Sequence, residues 1–166
     1  MNRRLVGVGI LVGVAAVGVY LSSPLAAVHS LSEAFRTHDA QRLSELIDFP
    51  KVRETMKKEM SEDVTKMFSD DPMFKGISSK HVPAVVNAFV DGTVTPKAFA
   101  GREAPEIIRK QTVFGDFHEE SGRYMKYIGL NKFEITKEKG DDDLKMVMVR
   151  HGLLDWKVEQ IHIPDY

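Results

Sequence analysis

The feature that most limits how this chain can fold is an uncharged apolar run close to its first residue. The run extends from Leu5 to Leu21 as LVGVGILVGVAAVGVYL, and Arg3 and Arg4 directly precede it. Seventeen residues in a helix span roughly 25 Å, which is near the lower limit for crossing a bilayer. Glycine and valine form helices poorly in water, but in lipid the backbone has no other hydrogen-bonding partner. The run therefore predicts one transmembrane helix.

Charge around the run predicts its orientation. Basic residues beside a span tend to stay in the cytoplasm, and all 24 acidic residues of the chain lie after the run. We therefore expect residues 1–23 to be an N-terminal membrane anchor and residues 24–166 to be a single α+β domain on the far side. The alternative is a cleaved signal peptide with Ala16-Val17-Gly18 as its small-residue cleavage site. The anchor is favoured because the apolar run continues past this site to Leu21.

Composition excludes several classes of function. Without Arg3 and Arg4 the chain has 21 basic and 24 acidic residues, a formal charge of −3, and it has no basic stripe. The electrostatic footprint of a nucleic-acid-binding protein is therefore missing. The chain also has no cysteine, which excludes disulfides, thiolate metal sites, cysteine nucleophiles and a lipid-modified cysteine.

Three helices are predicted directly after the run. Ser22-Ser23-Pro24 predicts a helix break, with Ser23 capping a new helix and Pro24 in its first turn. Asp39 and Asp48 are expected to cap the second and third helices. Apolar spacings of three and four put one buried set on each helix: Leu25, Val28, Leu31 and Phe35; Leu43, Leu46 and Ile47; Val52, Met56, Met60, Val64, Met67 and Phe68. The methionines are expected to fill an irregular core, and a soft binding surface is the alternative.

The middle of the chain combines loops with shorter helices. Residues 69–79 and 111–123 are rich in glycine and polar residues and predict irregular structure. A helix over residues 81–90 is expected to end at Asp91-Gly92 and to bury Val82, Val85, Val86 and Phe89. Thr95-Pro96 predicts a short helix ended by Gly101, and Ala104-Pro105 predicts one more.

The C-terminal part predicts an antiparallel sheet of three or four strands. Met125, Tyr127, Phe133 and Ile135 share parity, which is typical of strands. Lys139-Gly140-Asp141-Asp142-Asp143 predicts a solvated turn, because it lacks the ligand spacing of a calcium loop.

The last hairpin is expected to turn at His151-Gly152. A two-residue turn there pairs Val147 with Trp156. One face would then be dry and fitted to the helices, with Val147, Val149, Leu154, Trp156 and Val158 on it. The other face, around Met146 and Met148, would be half-wet and is a candidate partner surface. The apolar parity shifts afterwards to Ile161 and Ile163, which predicts a β-bulge near Glu159-Gln160.

The sequence contains none of the common catalytic, metal-binding or phosphate-binding motifs. It contains no HExxH, G-x-S-x-G or phosphate loop, and His118-Glu119-Glu120 predicts a solvated loop. Asp48 and Arg53 are expected to form a buried structural pair, and a catalytic role is the less favoured alternative. Glu45 and Asp155 are expected to cap helices or to pair with cations such as Arg42 and Lys157. We therefore assign no catalytic, cofactor-binding or metal-ligating residue and no cofactor.

The pattern resembles the bacterial domain of unknown function 2939 family. The resemblance covers essentially all of the chain after Ser22 and rests on Ser23-Pro24, Leu31, Phe35, Asp39, Leu43, Asp48-Phe49-Pro50, Val52-Arg53, Thr95-Pro96, Phe133, Arg150-x-Gly152-Leu153, Trp156-Lys157 and Ile161-x-Ile163-Pro164. It implies a short, single-anchored envelope protein with no catalytic residues to carry over. Ala34-Phe35-x₃-Asp39 with Leu43 and Leu46 looks more distantly like the start of nuclear-transport-factor-2-like or cystatin-like domains, which host both enzymes and binding modules.

These observations predict an α+β fold. Its helical N-terminal two-thirds would pack on a small C-terminal antiparallel sheet, preceded by one transmembrane helix. We expect a bacterial inner-membrane protein anchored through residues 5–21 with its domain in the periplasm. The favoured function is a non-catalytic module that binds an envelope protein or a small apolar ligand. A small hydrolase or isomerase with a pocket between helices and sheet is the alternative.

Overall fold

A helical N-terminal part followed by an antiparallel sheet is the architecture of the computed structural model, as the sequence predicts. The structure describes residues 3–70, 81–101, 124–136 and 145–162. The helices are α1 (Arg3–Arg36), α2 (Ala40–Leu46), α3 (Phe49–Asp70), α4 (Val82–Thr93) and α5 (Pro96–Ala100). The strands are β1 (Tyr124–Gly129), β2 (Lys132–Thr136), β3 (Lys145–Arg150) and β4 (Trp156–His162), paired in the order β1-β2-β3-β4.

Helix α1 is continuous across the point where a break is expected. Ser23 and Pro24 lie inside it, so the predicted helix start at Ser23 is wrong. Its second half is part of the core, with Val28, Leu31 and Phe35 buried, whereas the apolar side chains between residues 13 and 19 are exposed. Residues 13–36 are long and apolar enough to cross a membrane. One helix therefore contains both an apolar segment whose side chains are exposed in the described part of the structure and a core element.

The caps of the next helices are where the sequence predicts them. The Asp39 carboxylate accepts from the Arg42 backbone N–H at 2.9 Å, and the Asp48 carboxylate accepts from the Lys51 N–H at 3.1 Å. Between α1 and α2 the chain reverses through His38, which has a φ of 56°. The Thr95 hydroxyl caps α5 by accepting from the Ala98 N–H at 3.1 Å. Each cap accepts from an N–H group that the first helical turn leaves unpaired, three residues further along the chain. Helix caps can therefore be predicted from the local sequence.

Helix α4 buries a narrower face than expected. Val82, Val86 and Val90 are buried, but Val85 is 67% exposed and Phe89 is 44% exposed. The buried residues are spaced by four, so only one line of side chains contacts the core. The helix also continues past Asp91-Gly92 to Thr93.

Strand β3 turns the opposite face to the core from the one predicted, whereas Trp156 and Val158 of β4 are buried as predicted. The connection between β3 and β4 has five residues, His151 to Asp155, so Arg150 pairs with Trp156 and Met148 with Val158. Moving the register by an odd number of residues puts the other set of β3 side chains on the same face as Trp156 and Val158. Met146 and Met148 are accordingly 1% and 0% exposed, and the prediction that they form a partner surface is wrong.

The predicted bulge in β4 is confirmed. The partner of Met148 is Val158, but the partner of Val147 is Gln160, which leaves Glu159 as an extra residue. This extra residue returns Ile161 to the buried face, where it pairs with Met146.

The core lies between the helices and one face of the sheet. Strand β4 contacts α3, and the backbone N–H of Asp48 donates to the Val158 carbonyl at 2.9 Å. The largest fully buried side chains include Trp156, Leu31, Leu43, Ile135, Met146, Met148 and Val52. Met56 is also buried, as the core interpretation of the methionines predicts. Residues 69 and 70, predicted to be irregular, are the last residues of α3. The predictions for residues 71–79, for 104–123 including His118-Glu119-Glu120, for the 139–143 turn and for Ile163 lie outside the described residues.

Candidate functional site

The point where α1 meets the sheet contains the most connected group of polar side chains in the described chain. We call Tyr20, Ser23, Arg150 and Trp156 the Arg150 junction. Pro24 has no N–H, so the Tyr20 carbonyl one turn earlier has no helical partner. Two other donors take its place, the Ser23 hydroxyl at 2.8 Å and the Arg150 Nη2 at 3.2 Å. The proline therefore exposes a helix carbonyl to which the sheet binds.

Ser23 uses its full hydrogen-bonding capacity at the junction. It is 8% exposed, and its hydroxyl accepts from the Trp156 Nε1 at 2.9 Å and from the Arg150 Nη1 at 3.2 Å while it donates to Tyr20. A hydroxyl has one proton and two lone pairs. All three are used, which explains how a serine is accommodated within a long helix beside a fully buried tryptophan.

The Arg150 guanidinium lies between two aromatic rings. Its Cζ is 3.6 Å from the centroid of the Tyr20 ring and 4.3 Å from that of Trp156. Arg150 Nη1 also donates to the Leu153 carbonyl at 2.6 Å. Among the described residues its charge contacts carbonyls, a hydroxyl and ring faces, and no carboxylate is within ion-pair distance. Arginine suits this position because its planar group donates in several directions while both faces stack.

Hydrogen bonds connect α1, the β1–β2 turn and the β3–β4 loop at this end of the sheet. The Tyr20 hydroxyl donates to the Asn131 side-chain oxygen at 3.2 Å, and the Tyr127 hydroxyl donates to the Leu21 carbonyl at 2.6 Å. The Arg150 N–H donates to the Asn131 carbonyl at 3.0 Å, which joins the β1–β2 turn to the β3–β4 loop. The sheet therefore contacts α1 close to where the exposed apolar segment ends.

A groove of about 330 Å³ lies beside the junction. We call it the α1 groove. Small side chains of α1 form much of one wall, and α2 and the start of β4 form the rest. Its lining residues are Val19, Ser22, Ser23, Ala26, Ala27, Ser30, Arg42, Leu46, Leu154, Asp155 and Trp156. Arg42 is paired with Glu45 at 2.8 Å. The groove therefore combines small α1 side chains with larger apolar ones and with the polar groups of Arg42 and Asp155.

Asp48, His151 and Glu159 form a second cluster, in which one possible ligand atom from each residue lies within 4.8 Å of the others. A histidine with two carboxylates is a set that divalent metals accept. Each group already has a structural role, however: Asp48 caps α3, and His151 is hydrogen-bonded to Glu159 at 2.8 Å.

The Lys51 ammonium contributes positive charge to the same region. The hydrogen bond and then the attraction from Glu54 raise the pKa of Lys51, with smaller contributions from Glu159 and Asp48. A nearby cation opposes the binding of a second one. We therefore interpret this cluster as part of the contact between α3 and the sheet.

The structure separates some residues that the sequence suggested would pair. Arg53 does not pair with Asp48; its Nε is 3.7 Å from an Asp91 carboxylate oxygen, and its Nη1 donates to the Val94 carbonyl at 3.0 Å. The expected pairing of Glu45 with Arg42 is present. Asp155 lines the groove and its carbonyl accepts from the His151 N–H at 2.9 Å.

Sequence reasoning noted Ser23, Pro24, Arg150 and Trp156 as conspicuous but did not bring them together. Ser23 and Pro24 are more than 120 positions from Arg150 and Trp156, and no local pattern links the two pairs. The only available signal was the position of Ser-Pro at the end of an apolar run. A proline there leaves a carbonyl that needs a donor from elsewhere.

The comparisons with known proteins identify a family without a described function. The chain belongs to the family described as "Protein of unknown function (DUF2939)", whose model matches residues 13–101. This confirms the family predicted from the sequence, and the residues from Phe133 onward that also support the resemblance lie outside the match. Neither the curated proteins nor the solved structures contain a match to this chain, so the more distant resemblance to nuclear-transport-factor-2-like and cystatin-like domains stays an expectation.

Proposed function

We propose that this protein is a bacterial inner-membrane protein that acts as a non-catalytic interaction module of the cell envelope. Residues 1–23 are the anchor, and residues 24–166 form one domain in the periplasm. Its partner is an apolar segment of another envelope protein, which occupies the α1 groove.

The continuity of α1 is the observation that best supports this proposal. The exposed side chains at the start of the described part of the helix are apolar, among them Val14 at 67% and Val17 at 58%. Water disfavours such a surface, whereas a bilayer accepts it. Arg3 and Arg4 precede this segment and every acidic residue follows it, which favours a periplasmic domain.

The position and lining of the α1 groove support an interaction role. The groove lies at the surface along α1, where α2 and the start of β4 form its other walls, and the buried residues of the core beside it are apolar. Ser22, Ala26 and Ser30 recur at every fourth position of this wall. Small side chains at this spacing allow another backbone to approach a helix closely, as in membrane helix pairs.

Site-specific photocrosslinking in intact membranes tests the proposal. A benzophenone amino acid replaces Ala26 in the groove, and Ala84 on α4 is the control because it is also an exposed helical alanine. We expect Ala26 to give discrete adducts that contain an envelope protein and Ala84 to give none of them. Identical adducts from both positions, or no protein adduct from Ala26 in several growth conditions, would contradict the proposed partner.

A further inference from the structure

The end of the sheet that contacts α1 has three exposed leucines. Leu130 in the β1–β2 turn is 85% exposed, and Leu153 and Leu154 in the β3–β4 loop are 75% and 50% exposed. We call these three residues the leucine tip. Strand order and direction place both connections at the same end of the sheet, where the Arg150 N–H bonds the Asn131 carbonyl. The leucine tip is therefore one apolar surface made by two separate turns.

The leucine tip lies on the side of the domain from which the apolar segment of α1 emerges. Asn131, next to Leu130, bonds the Tyr20 hydroxyl, and the Leu153 carbonyl bonds the same Arg150 that stacks on Tyr20. Long side chains on a helix point back toward its N-terminus. The Tyr20 side chain therefore points toward the exposed apolar residues that precede it in α1.

The side chains around the leucine tip are those of a membrane interface. Tyr20 and Tyr127 lie beside it with their hydroxyls hydrogen-bonded. Lys132, which follows the β1–β2 turn, is exposed. Tyrosine, tryptophan and basic side chains are enriched where a protein crosses from lipid to water. Exposed leucines next to them fit the boundary between headgroups and acyl chains.

We propose that the leucine tip inserts into the outer boundary of the bilayer that holds α1, so that the domain lies against the membrane and does not stand away from it. This inference rests on the proposed anchoring through α1. It follows because a continuous helix without a linker fixes the distance of the tip from the bilayer.

Depth-dependent fluorescence quenching in liposomes tests this placement in the full-length protein. The chain has no cysteine, so a single substitution gives a single labelling site for bimane. Leu130→Cys and Leu153→Cys report on the tip, and Val14→Cys reports on the anchor. Val85→Cys on α4 is the control, because Val85 is an apolar residue with an exposure of 67%. Lipids carry a nitroxide either near the headgroup or in the middle of the acyl chain.

We expect the labels at positions 130 and 153 to lose fluorescence mainly with the headgroup-level quencher and the label at position 14 mainly with the mid-chain quencher. The label at position 85 should keep its fluorescence with both. Quenching at position 14 without quenching at 130 and 153 overturns the placement of the tip and leaves the anchor intact. A blue-shifted but unquenched label at 130 or 153 reports a protein contact and also overturns it.

Two remaining outcomes are also decisive. If position 14 is not quenched, the proposed anchoring fails, and the placement of the tip fails with it. If position 85 is quenched as strongly as 130 and 153, the contact is not confined to this end of the sheet, and the inference is overturned.

Discussion

Replacement of Ser23 by alanine should destabilise the protein far more than the loss of a single hydroxyl group suggests. The Ser23 hydroxyl is the acceptor for the buried Trp156 Nε1 at 2.9 Å. Its removal leaves that N–H without a partner and takes one of two acceptors from Arg150 Nη1. A buried donor left unsatisfied costs about 1–3 kcal/mol. We therefore expect Ser23→Ala to lower the free energy of unfolding by about 2 kcal/mol, since the arginine keeps its other bonds.

The matched control for this variant is Ser22→Ala. Ser22 is the adjacent helical serine, but it is exposed and its hydroxyl donates only to the Val19 carbonyl at 3.3 Å. Its replacement should change stability by no more than about 0.5 kcal/mol. Urea unfolding of the full-length protein in detergent micelles, followed by circular dichroism, measures both values. Equal effects of the two substitutions would refute the role assigned to Ser23.

A double-mutant cycle separates the indole bond from other effects of the serine. Trp156→Phe removes the N–H, so Ser23→Ala should cost less in that background than in the wild type. The expected coupling is about 1–2 kcal/mol. A coupling near zero would mean that the 2.9 Å contact contributes nothing.

Three further variants test the junction, the register and one ion pair. Arg150→Lys should lower the free energy of unfolding by about 2 kcal/mol, because an ammonium cannot replace the three hydrogen bonds of the guanidinium fork; an unchanged urea midpoint would contradict this. Met148→Ala should cost about 2–5 kcal/mol and Val149→Ala about 1 kcal/mol or less in the same assay, because only Met148 is fully buried; the opposite order would support the register first predicted. Glu54 raises the pKa of Lys51 above 10.5, so their pairing stabilises the fold below that pH and is lost as pH rises through the folded-state pKa. Carbon NMR titration should show a lower Lys51 pKa in Glu54→Gln, and an identical pKa would exclude this cause.

Local signals in the sequence predicted much of the helical part. Asp39, Asp48 and Thr95 cap helices in the structure as expected, because a cap depends on residues within one turn. The bulge at Glu159 was also predictable, since one extra residue changes which side chains share a face.

The predictions were wrong where contacts between distant parts of the chain determine the local structure. His151-Gly152 resembles a two-residue turn, but the loop runs to Asp155 and closes with a 2.9 Å bond between His151 and Asp155. The resulting register put Met146 and Met148 of β3 on the buried face with Trp156 and Val158 of β4. Ser23-Pro24 resembles a helix start, yet the helix continues because Arg150 binds the carbonyl that the proline leaves free. The Arg150 junction could not be assembled from a local pattern for the same reason.

The central claim is that α1 is one helix from the membrane into the core, and a distance measurement across Pro24 tests it most directly. Spin labels at Val14→Cys and His29→Cys, both exposed positions, can be measured by pulsed electron paramagnetic resonance in liposomes. A continuous helix predicts one narrow distribution near 22 Å, from roughly 1.5 Å per residue. A broad or multiple distribution would show a flexible connection at Ser22–Pro24 and would contradict the account.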